Sequence, residues 1–277
     1  MNQKKKFILG IIGLGNMGGA LLSGIASSGL LKKEKIAVFD IANEKSKKYE
    51  ADLKVKALDD LKELIINSKY ILIAIKPQNL HDIMPLFKKY CDTNNNVVIS
   101  IAAGIPTSYF ERNIGNIPVL RIMPNTPALY GKGVFAVSGG KFAADEHIEF
   151  VESLMSSAGI VVLLDEKLQN LTTVISGSGP AYFFLFCSFM INFAVLNGLD
   201  DKTAKEMVIN TMIGAGEVLK KTDKTIDALI KSVASPGGTT EKALNIFSEN
   251  NLENIFNEAL GSALARSVEM ESVISIK

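Results

Sequence analysis

Three glycines in the run Gly13-Leu14-Gly15-Asn16-Met17-Gly18 follow directly on the apolar stretch Phe7-Ile8-Leu9-Gly10-Ile11-Ile12. A strand that runs through G-x-G-x-x-G into a helix is built to hold a pyrophosphate. The first glycine permits the tight turn, the second lets backbone approach the phosphates, and the third lets helix pack on strand. About 20 residues later the strand pattern Ile36 to Phe39 ends in Asp40, where a carboxylate would hold a ribose diol. Asp40 would accept from a 2′-hydroxyl and repel a 2′-phosphate, favouring NAD(H) over NADP(H). Lys45, Lys47 and Lys48 at the start of the next helix read as a solvated face or as an offset to that repulsion.

Further chemistry-bearing turns follow other apolar runs. Ile75-Lys76-Pro77 and Ala102-Ala103-Gly104 each come after a strand pattern, and in an open α/β sheet such carboxyl-end turns line the ligand crevice. Met123-Pro124-Asn125-Thr126-Pro127 ends another, where the Asn125 amide would face the nicotinamide or the substrate, or the two prolines make a rigid turn. Later, Ser176-Gly177-Ser178-Gly179-Pro180 and Ser235-Pro236-Gly237-Gly238-Thr239-Thr240 open two helices, offering exposed amides flanked by hydroxyls to a small carboxylate, or simply capping loops.

The elements that must position these turns change character along the chain. Strand patterns at Phe7 to Ile12, Lys35 to Phe39, Tyr70 to Ile75, Val97 to Ile101, Val119 to Met123, Val134 to Ser138 and Ile160 to Leu164 alternate early on with helical stretches such as Met17 to Ser28 and Leu58 to Ile66. That alternation predicts a doubly wound, Rossmann-type parallel sheet. Beyond about Leu164 only helical patterns remain: Lys167 to Ile175, Pro180 to Leu196, Asp201 to Lys221, Thr225 to Val233, Thr239 to Ser248 and Leu252 to Ser272. We therefore expect an α/β fold with a dinucleotide-binding domain over residues 1–164 and an all-helical domain over residues 165–277. The stretch 180–196 is apolar nearly all round and needs partners on every side, which predicts a homo-oligomer built on the second domain.

Composition excludes several alternatives. In 277 residues, 47% apolar and 21% charged, 30 Lys plus Arg balance 29 Asp plus Glu, so nothing like a nucleic-acid footprint is present. Cys91 and Cys187 are the only cysteines and His81 and His147 the only histidines, which leaves no disulfide framework and no metal site, and fits a reducing cytoplasm. Lys4-Lys5-Lys6 before Phe7 to Ile12 imitates a secretory signal, but the run flows straight into the glycine turn. Residues 181–196 fall short of a hydrocarbon core of about 30 Å, so no membrane span is expected.

The blocks Gly13 to Gly18, Ile75-Lys76-Pro77, Ser100 to Gly104, Arg121 to Pro127, Ser176 to Tyr182 and Ser235 to Thr240 together resemble the pyrroline-5-carboxylate reductase family over nearly the whole chain. The last block is the most specific; the first is shared with many oxidoreductases. The resemblance implies hydride transfer from NADPH and/or NADH to the C=N bond of 1-pyrroline-5-carboxylate, giving L-proline in the last step of its biosynthesis. It also implies a helical domain intertwined with that of a second subunit, often in a ring of dimers. Carried over by residue, Gly13, Leu14, Gly15, Asn16, Met17, Gly18, Asp40, Ile75, Lys76, Pro77, Ala102, Ala103, Gly104 and Asn125 would line the cofactor. Thr240 would stand at the imine nitrogen, with Thr239, Gly238 and Gly237 on the carboxylate and Ser235 and Ser178 beside it. Asp40 stands where many members have a neutral or phosphate-accepting residue, which puts NADPH preference in doubt.

Imine reduction needs a hydride at carbon and a proton at nitrogen, so a hydroxyl that orients the ring suffices and no strong acid is required. Two other readings differ in class. A dehydrogenase of a small hydroxy acid would need a base near the start of the helical domain, where Lys167 is the only candidate. A non-catalytic nucleotide sensor would keep the fold without turnover.

Overall fold

The computed structural model describes residues 5–275. Strand β1 (Phe7–Ile12) is buried at five of its six positions, which is why its sequence runs apolar rather than alternating. It is followed in chain order by α1 (Asn16–Ser28), β2 (Ile36–Phe39), α2 (Asn43–Leu53), β3 (Lys56–Ala57), α3 (Leu61–Asn67), β4 (Ser68–Ile73), α4 (Leu80–Tyr90), β5 (Val97–Ser100), α5 (Thr107–Ile114), β6 (Val119–Met123), β7 (Gly133–Gly139), α6 (Asp145–Met155) and β8 (Gly159–Leu163). The eight strands make one sheet in the order β3-β2-β1-β4-β5-β6-β7-β8. All neighbours are parallel except β6 and β7, which pair antiparallel.

Two apolar clusters cover the two faces. Leu21, Leu22 and Ile25 of α1 pack with Leu154 and Met155 of α6 in one. Leu64 and Ile65 of α3 pack with Met84, Phe87 and Phe110 in the other. The Phe7 to Ile12 run that imitates a leader is thus the middle of the sheet; Lys4 lies outside the described residues.

The expected single helix over 167–175 is replaced by three short turns of different pitch. A 3-10 turn (Glu166–Leu168) leads into α7 (Gln169–Thr172) and then a π turn (Thr173–Gly177) that closes with Ser178 N–H donating to Thr173 O at 2.8 Å. The hydroxyls of Thr172, Thr173 and Ser176 donate to carbonyls of the preceding turn, a local competition that disfavours a regular helix. The small edge strand β3 and helix α5 are additions to the expected pattern; α4, which holds His81, carries Pro85 inside it.

The remaining helices are α8 (Gly179–Leu196), α9 (Asp201–Lys221), α10 (Ile226–Val233), α11 (Thr239–Glu249) and α12 (Leu252–Ser275). Asp200 caps α9 by accepting from Thr203 N–H at 3.0 Å, and Thr225 caps α10 through Ala228 N–H at 3.2 Å. By contacts the chain divides into residues up to Ser178 together with those from Leu264 onward, and a helical unit, Gly179–Ala263. Within the helical unit α8 packs along α9, and Phe186 stacks on Phe256 at 5.6 Å. Much of α8 stays uncovered: Phe183, Phe184, Phe189 and Phe193 are each more than half exposed. The stretch Glu166–Leu196 is long and apolar enough to cross a membrane by length and composition.

Candidate active site

The parallel strands β2, β1, β4, β5 and β6 end on one edge of the sheet, and there the turns singled out in the sequence collect. Strand order reverses between β1 and β4, since the chain first moves outward through β2 and β3 and then returns to the other side of β1. A crevice at such a switch point is where open α/β sheets take their ligands. Gly13 to Gly18, Asp40, Ile75-Lys76-Pro77, Ala102 to Gly104 and Asn125 all follow strands that end there.

The three glycines of the first turn have different reasons to be glycine. Gly13 has φ +93°, and a Cβ there would lie 2.7 Å from the Ala74 carbonyl oxygen. At Gly18 a Cβ would run into the Gly13 carbonyl oxygen, so helix and turn can close only around a hydrogen. Gly15 differs. Its backbone is extended, at φ −69° and ψ −171°, and a Cβ would meet nothing within 4 Å. Nothing in the protein requires glycine at 15; the space in front of it is what a pyrophosphate would fill. Gly15 is also the N-cap of α1, with no side chain capping the helix, so the first-turn amides face that space. The residues present therefore fit a dinucleotide.

Asp40 is tied into the same turn. One carboxylate oxygen accepts from Leu14 N–H at 2.6 Å and the other from Ala42 N–H at 2.9 Å, while Asp40 N–H donates to the buried Ser46 hydroxyl at 2.9 Å. Lys76 is exposed beside Pro77, and Ile75 packs against Gly13. Ala102 and Gly104 are buried, with Gly104 at φ +72°. Asn125 is engaged at both ends by backbone: its amide nitrogen donates to Ser176 O at 3.1 Å and its oxygen accepts from Val134 N–H at 2.9 Å. The structure thus uses this side chain to lock the Pro124–Pro127 turn to β7 and to the π turn.

In the helical unit, Ser235 to Thr240 form a tight loop into α11. Gly237 has φ +72°, Gly238 N–H donates to Ser235 O at 2.9 Å, and Gly237 N–H donates to the Glu241 carboxylate at 2.8 Å. Gly238 caps α11 without a side chain, leaving the amides of its first turn uncapped. Thr240 lies on a groove of about 410 Å³ whose other walls include Leu229, Ile230, Val233 and Leu244. Ser178 stands at the end of the π turn, directly before α8.

Three charged residues were not anticipated. Arg121, in the middle of β6 and 4% exposed, lies 3.4 Å from Glu166 and 3.4 Å from Glu271. An arginine inside the strand pattern Val119 to Met123 signals that a counter-charge must exist, but its partners stand 45 and 150 positions away. Lys167, the base a hydroxy-acid dehydrogenase would need, is exposed and paired with Asp165 at 3.0 Å. Among the described residues no group of His, Cys, Asp and Glu could hold a metal ion.

A family model described as pyrroline-5-carboxylate reductase dimerisation matches residues 166–270, and one described as NADP oxidoreductase, coenzyme F420-dependent, matches residues 8–104. The pyrroline-5-carboxylate reductase of Haemophilus influenzae is 33% identical over 270 residues, covering 96% of this chain and 98% of its own. That of Methanosarcina acetivorans is 32% identical, covering 97% and 98%. Among solved structures, a Plasmodium falciparum pyrroline carboxylate reductase with NADP bound is 30% identical with a TM-score of 0.86, over 97% of this chain and 100% of that one. End-to-end likeness at this level means that the chain belongs to the pyrroline-5-carboxylate reductase family.

Proposed function

We propose that this protein reduces 1-pyrroline-5-carboxylate to L-proline with NADPH or NADH. The observation that carries the reading is Gly15, a glycine required by no contact of the protein itself, in a chain related end to end to named reductases. The functional division follows the sequence: residues 1–164 for the dinucleotide and 165–277 for substrate and dimerisation, supported by a family match that begins at residue 166.

The nicotinamide, when bound, supplies the hydride. This chain's residues orient and hold. Gly13 to Gly18 offer turn and helix amides to the pyrophosphate, Asp40 a carboxylate to the adenosine ribose, and Ile75 to Pro77, Ala102 to Gly104 and the turn at Asn125 flank the crevice. The uncapped first turn of α11, at Gly237 to Thr240, receives the substrate carboxylate, and Ser235 and Ser178 contribute hydroxyls. Gly237 N–H already serves Glu241, so the amides beyond it carry most of this task. Thr240 hydrogen-bonds the imine nitrogen, where the proton must reside as carbon accepts hydride. A hydroxyl fits this role because an iminium needs orientation rather than a strong acid.

The same proposal includes a homodimer through the helical unit, supported by the match to a dimerisation model and by the exposed phenylalanines of α8. A ring of such dimers and a reducing cytoplasmic setting complete it, the latter supported by two free thiols, Cys91 and Cys187. Loss of nicotinamide absorbance on adding 1-pyrroline-5-carboxylate, with proline as product, tests the reaction. Cofactor binding without turnover on any cyclic imine would replace it with the sensor reading. Light scattering on the eluting protein tests the dimer, and a monomer at micromolar concentration would refute it.

A further inference from the structure

We infer that this enzyme selects NADH over NADPH, and that Asp40 sets the choice. The inference rests on the dinucleotide reading and goes beyond it, since a relative holds NADP and the matching family model carries NADP in its description.

Position alone would leave the choice open, because a carboxylate at the end of a second strand can swing aside to admit a phosphate. Here it is fixed. Leu14 N–H holds one oxygen at 2.6 Å and Ala42 N–H the other at 2.9 Å, so both χ angles are set by backbone on two sides. Behind it, Asp40 N–H is anchored on the Ser46 hydroxyl, and Ser46 is fully buried. Turning the carboxylate away would strand the Leu14 amide inside the very turn that holds the pyrophosphate. Each carboxylate oxygen accepts one amide and retains a lone pair, which is what the 2′- and 3′-hydroxyls of a ribose would donate to.

Among the described residues no cation is paired with Asp40 to offset its charge toward a 2′-phosphate. The start of α2 adds Glu44 in its first turn, a second negative charge at the helix end that would otherwise attract an anion. Ala42 N–H, one of the donors at that end, is already taken by Asp40 itself. Asn43 is drawn off to Asp59 at 2.7 Å. Lys45, Lys47 and Lys48 lie exposed along α2 and make no ion pair with Asp40. Ile41, immediately after Asp40, is 96% exposed, an aliphatic side chain held in water beside the carboxylate.

A 2′-phosphate within contact distance of this fixed carboxylate is repelled by an amount equivalent to between about tenfold and about a thousandfold in affinity, depending on how far water screens the pair. The test needs no turnover. The chain has no tryptophan, so the intrinsic fluorescence of NADH and NADPH can be titrated against the purified protein without interference, and 5′-AMP and adenosine 2′,5′-bisphosphate can be used as competing fragments. NADH should bind at least about tenfold more tightly than NADPH, and 5′-AMP should compete better than the bisphosphate. Asp40→Ser should narrow or reverse both ratios. Equal affinities in the unaltered protein, or tighter NADPH, would overturn the inference whatever the variant does, and would point to the lysines of α2. Should Asp40→Ser fail to fold, the two ratios in the unaltered protein still decide. Binding of neither dinucleotide would defeat the dinucleotide reading as well, and so is distinguishable from a wrong choice between the two.

Discussion

The guanidinium of Arg121 lies 3.4 Å from the carboxylate of Glu271, which joins the middle of β6 to the far end of the last helix. On its other side Arg121 meets Glu166, also at 3.4 Å, and Glu166 accepts both the amide and the hydroxyl of Thr107 at 2.7 Å. Glu271 in turn accepts from Asn170, whose oxygen accepts from Ser267. One buried cation thus organises the start of α5, the broken helix after β8 and the end of α12. The α12 backbone at Met270 and Glu271 then lies 3.5–3.6 Å from where a Cβ on Gly104 would stand, so this cluster also fixes the loop at the carboxyl end of β5.

Removing the cation should therefore cost more than removing one anion. Arg121→Met removes the guanidinium that Glu166 and Glu271 both face and should destabilise by about 3 kcal/mol, read as a lower urea midpoint at unchanged slope. Glu271→Gln keeps an acceptor for Asn170, is a quarter exposed, and leaves Glu166 on the arginine, so a loss of under about 1 kcal/mol is expected. Equal losses in the two variants would show that packing rather than charge holds the cluster.

The glycine turn yields a contrast between neighbours. Gly15→Ala should leave folding nearly unchanged, at a cost of no more than about 1 kcal/mol for the weaker N-cap, while NADH affinity falls sharply if the pyrophosphate takes the open space that the methyl would enter. Gly18→Ala should lose about 1–3 kcal/mol of stability, because the methyl collides with the Gly13 carbonyl. Thermal melting and fluorescence titration on the two proteins separate the effects. A Gly15→Ala protein that binds NADH normally would remove the pyrophosphate from that place.

How much of this was legible depends on distance along the chain. Gly13 to Gly18 and Asp40 could be read because the turn, the strand before it and the acid about 20 residues on are local, and the strands could be read because burial on both faces leaves them uniformly apolar. Asp40's fixation could not, since it takes backbone amides of Leu14 and Ala42 and a hydroxyl from Ser46 that no spacing rule specifies. Nor could the break between Glu166 and Ser178, where the apolar spacing suits a helix and the threonine and serine hydroxyls undo it. Asn125 is the instructive case: polar, in a turn at the sheet edge, and held by two backbone groups that only the folded chain brings to it.

Alkaline pH should weaken the fold below the point at which most proteins fail. Burial pushes the Cys91 thiol from 9.0 up to about 12, and burial with the nearby Glu146 pushes the Tyr70 hydroxyl from 10.0 up to about 12. Both groups hold their protons more tightly folded than unfolded, so their stabilisation is complete below pH 9 and is lost as pH rises through the interval to about 12. The loss is at most about 1.4 kcal/mol per pH unit for each. Lys5, whose ammonium burial holds below its usual range, opposes part of this. Urea midpoints between pH 8 and 11 should decline, and Cys91→Ala should flatten the decline; an unchanged slope in that variant would exclude the thiol as its source.

Thr240 offers the sharpest test of the chemistry, because its neighbours give it no structural duty that alanine could not fill. It sits in the first turn of α11, which Gly238 caps, so deleting the hydroxyl removes no helix cap. The walls around it are aliphatic, so a methyl in place of the threonine side chain meets compatible surroundings. If its hydroxyl holds the imine nitrogen as hydride arrives, Thr240→Ala should lower kcat by about ten- to a hundredfold, as expected for one lost donor in an electrostatic site. NADH affinity should stay as it was, and Thr240→Ser should recover most of the activity, because it restores the oxygen and not the methyl. A loss confined to KM would instead place Thr240 on the substrate carboxylate. Full activity in the alanine variant would remove it from the reaction altogether.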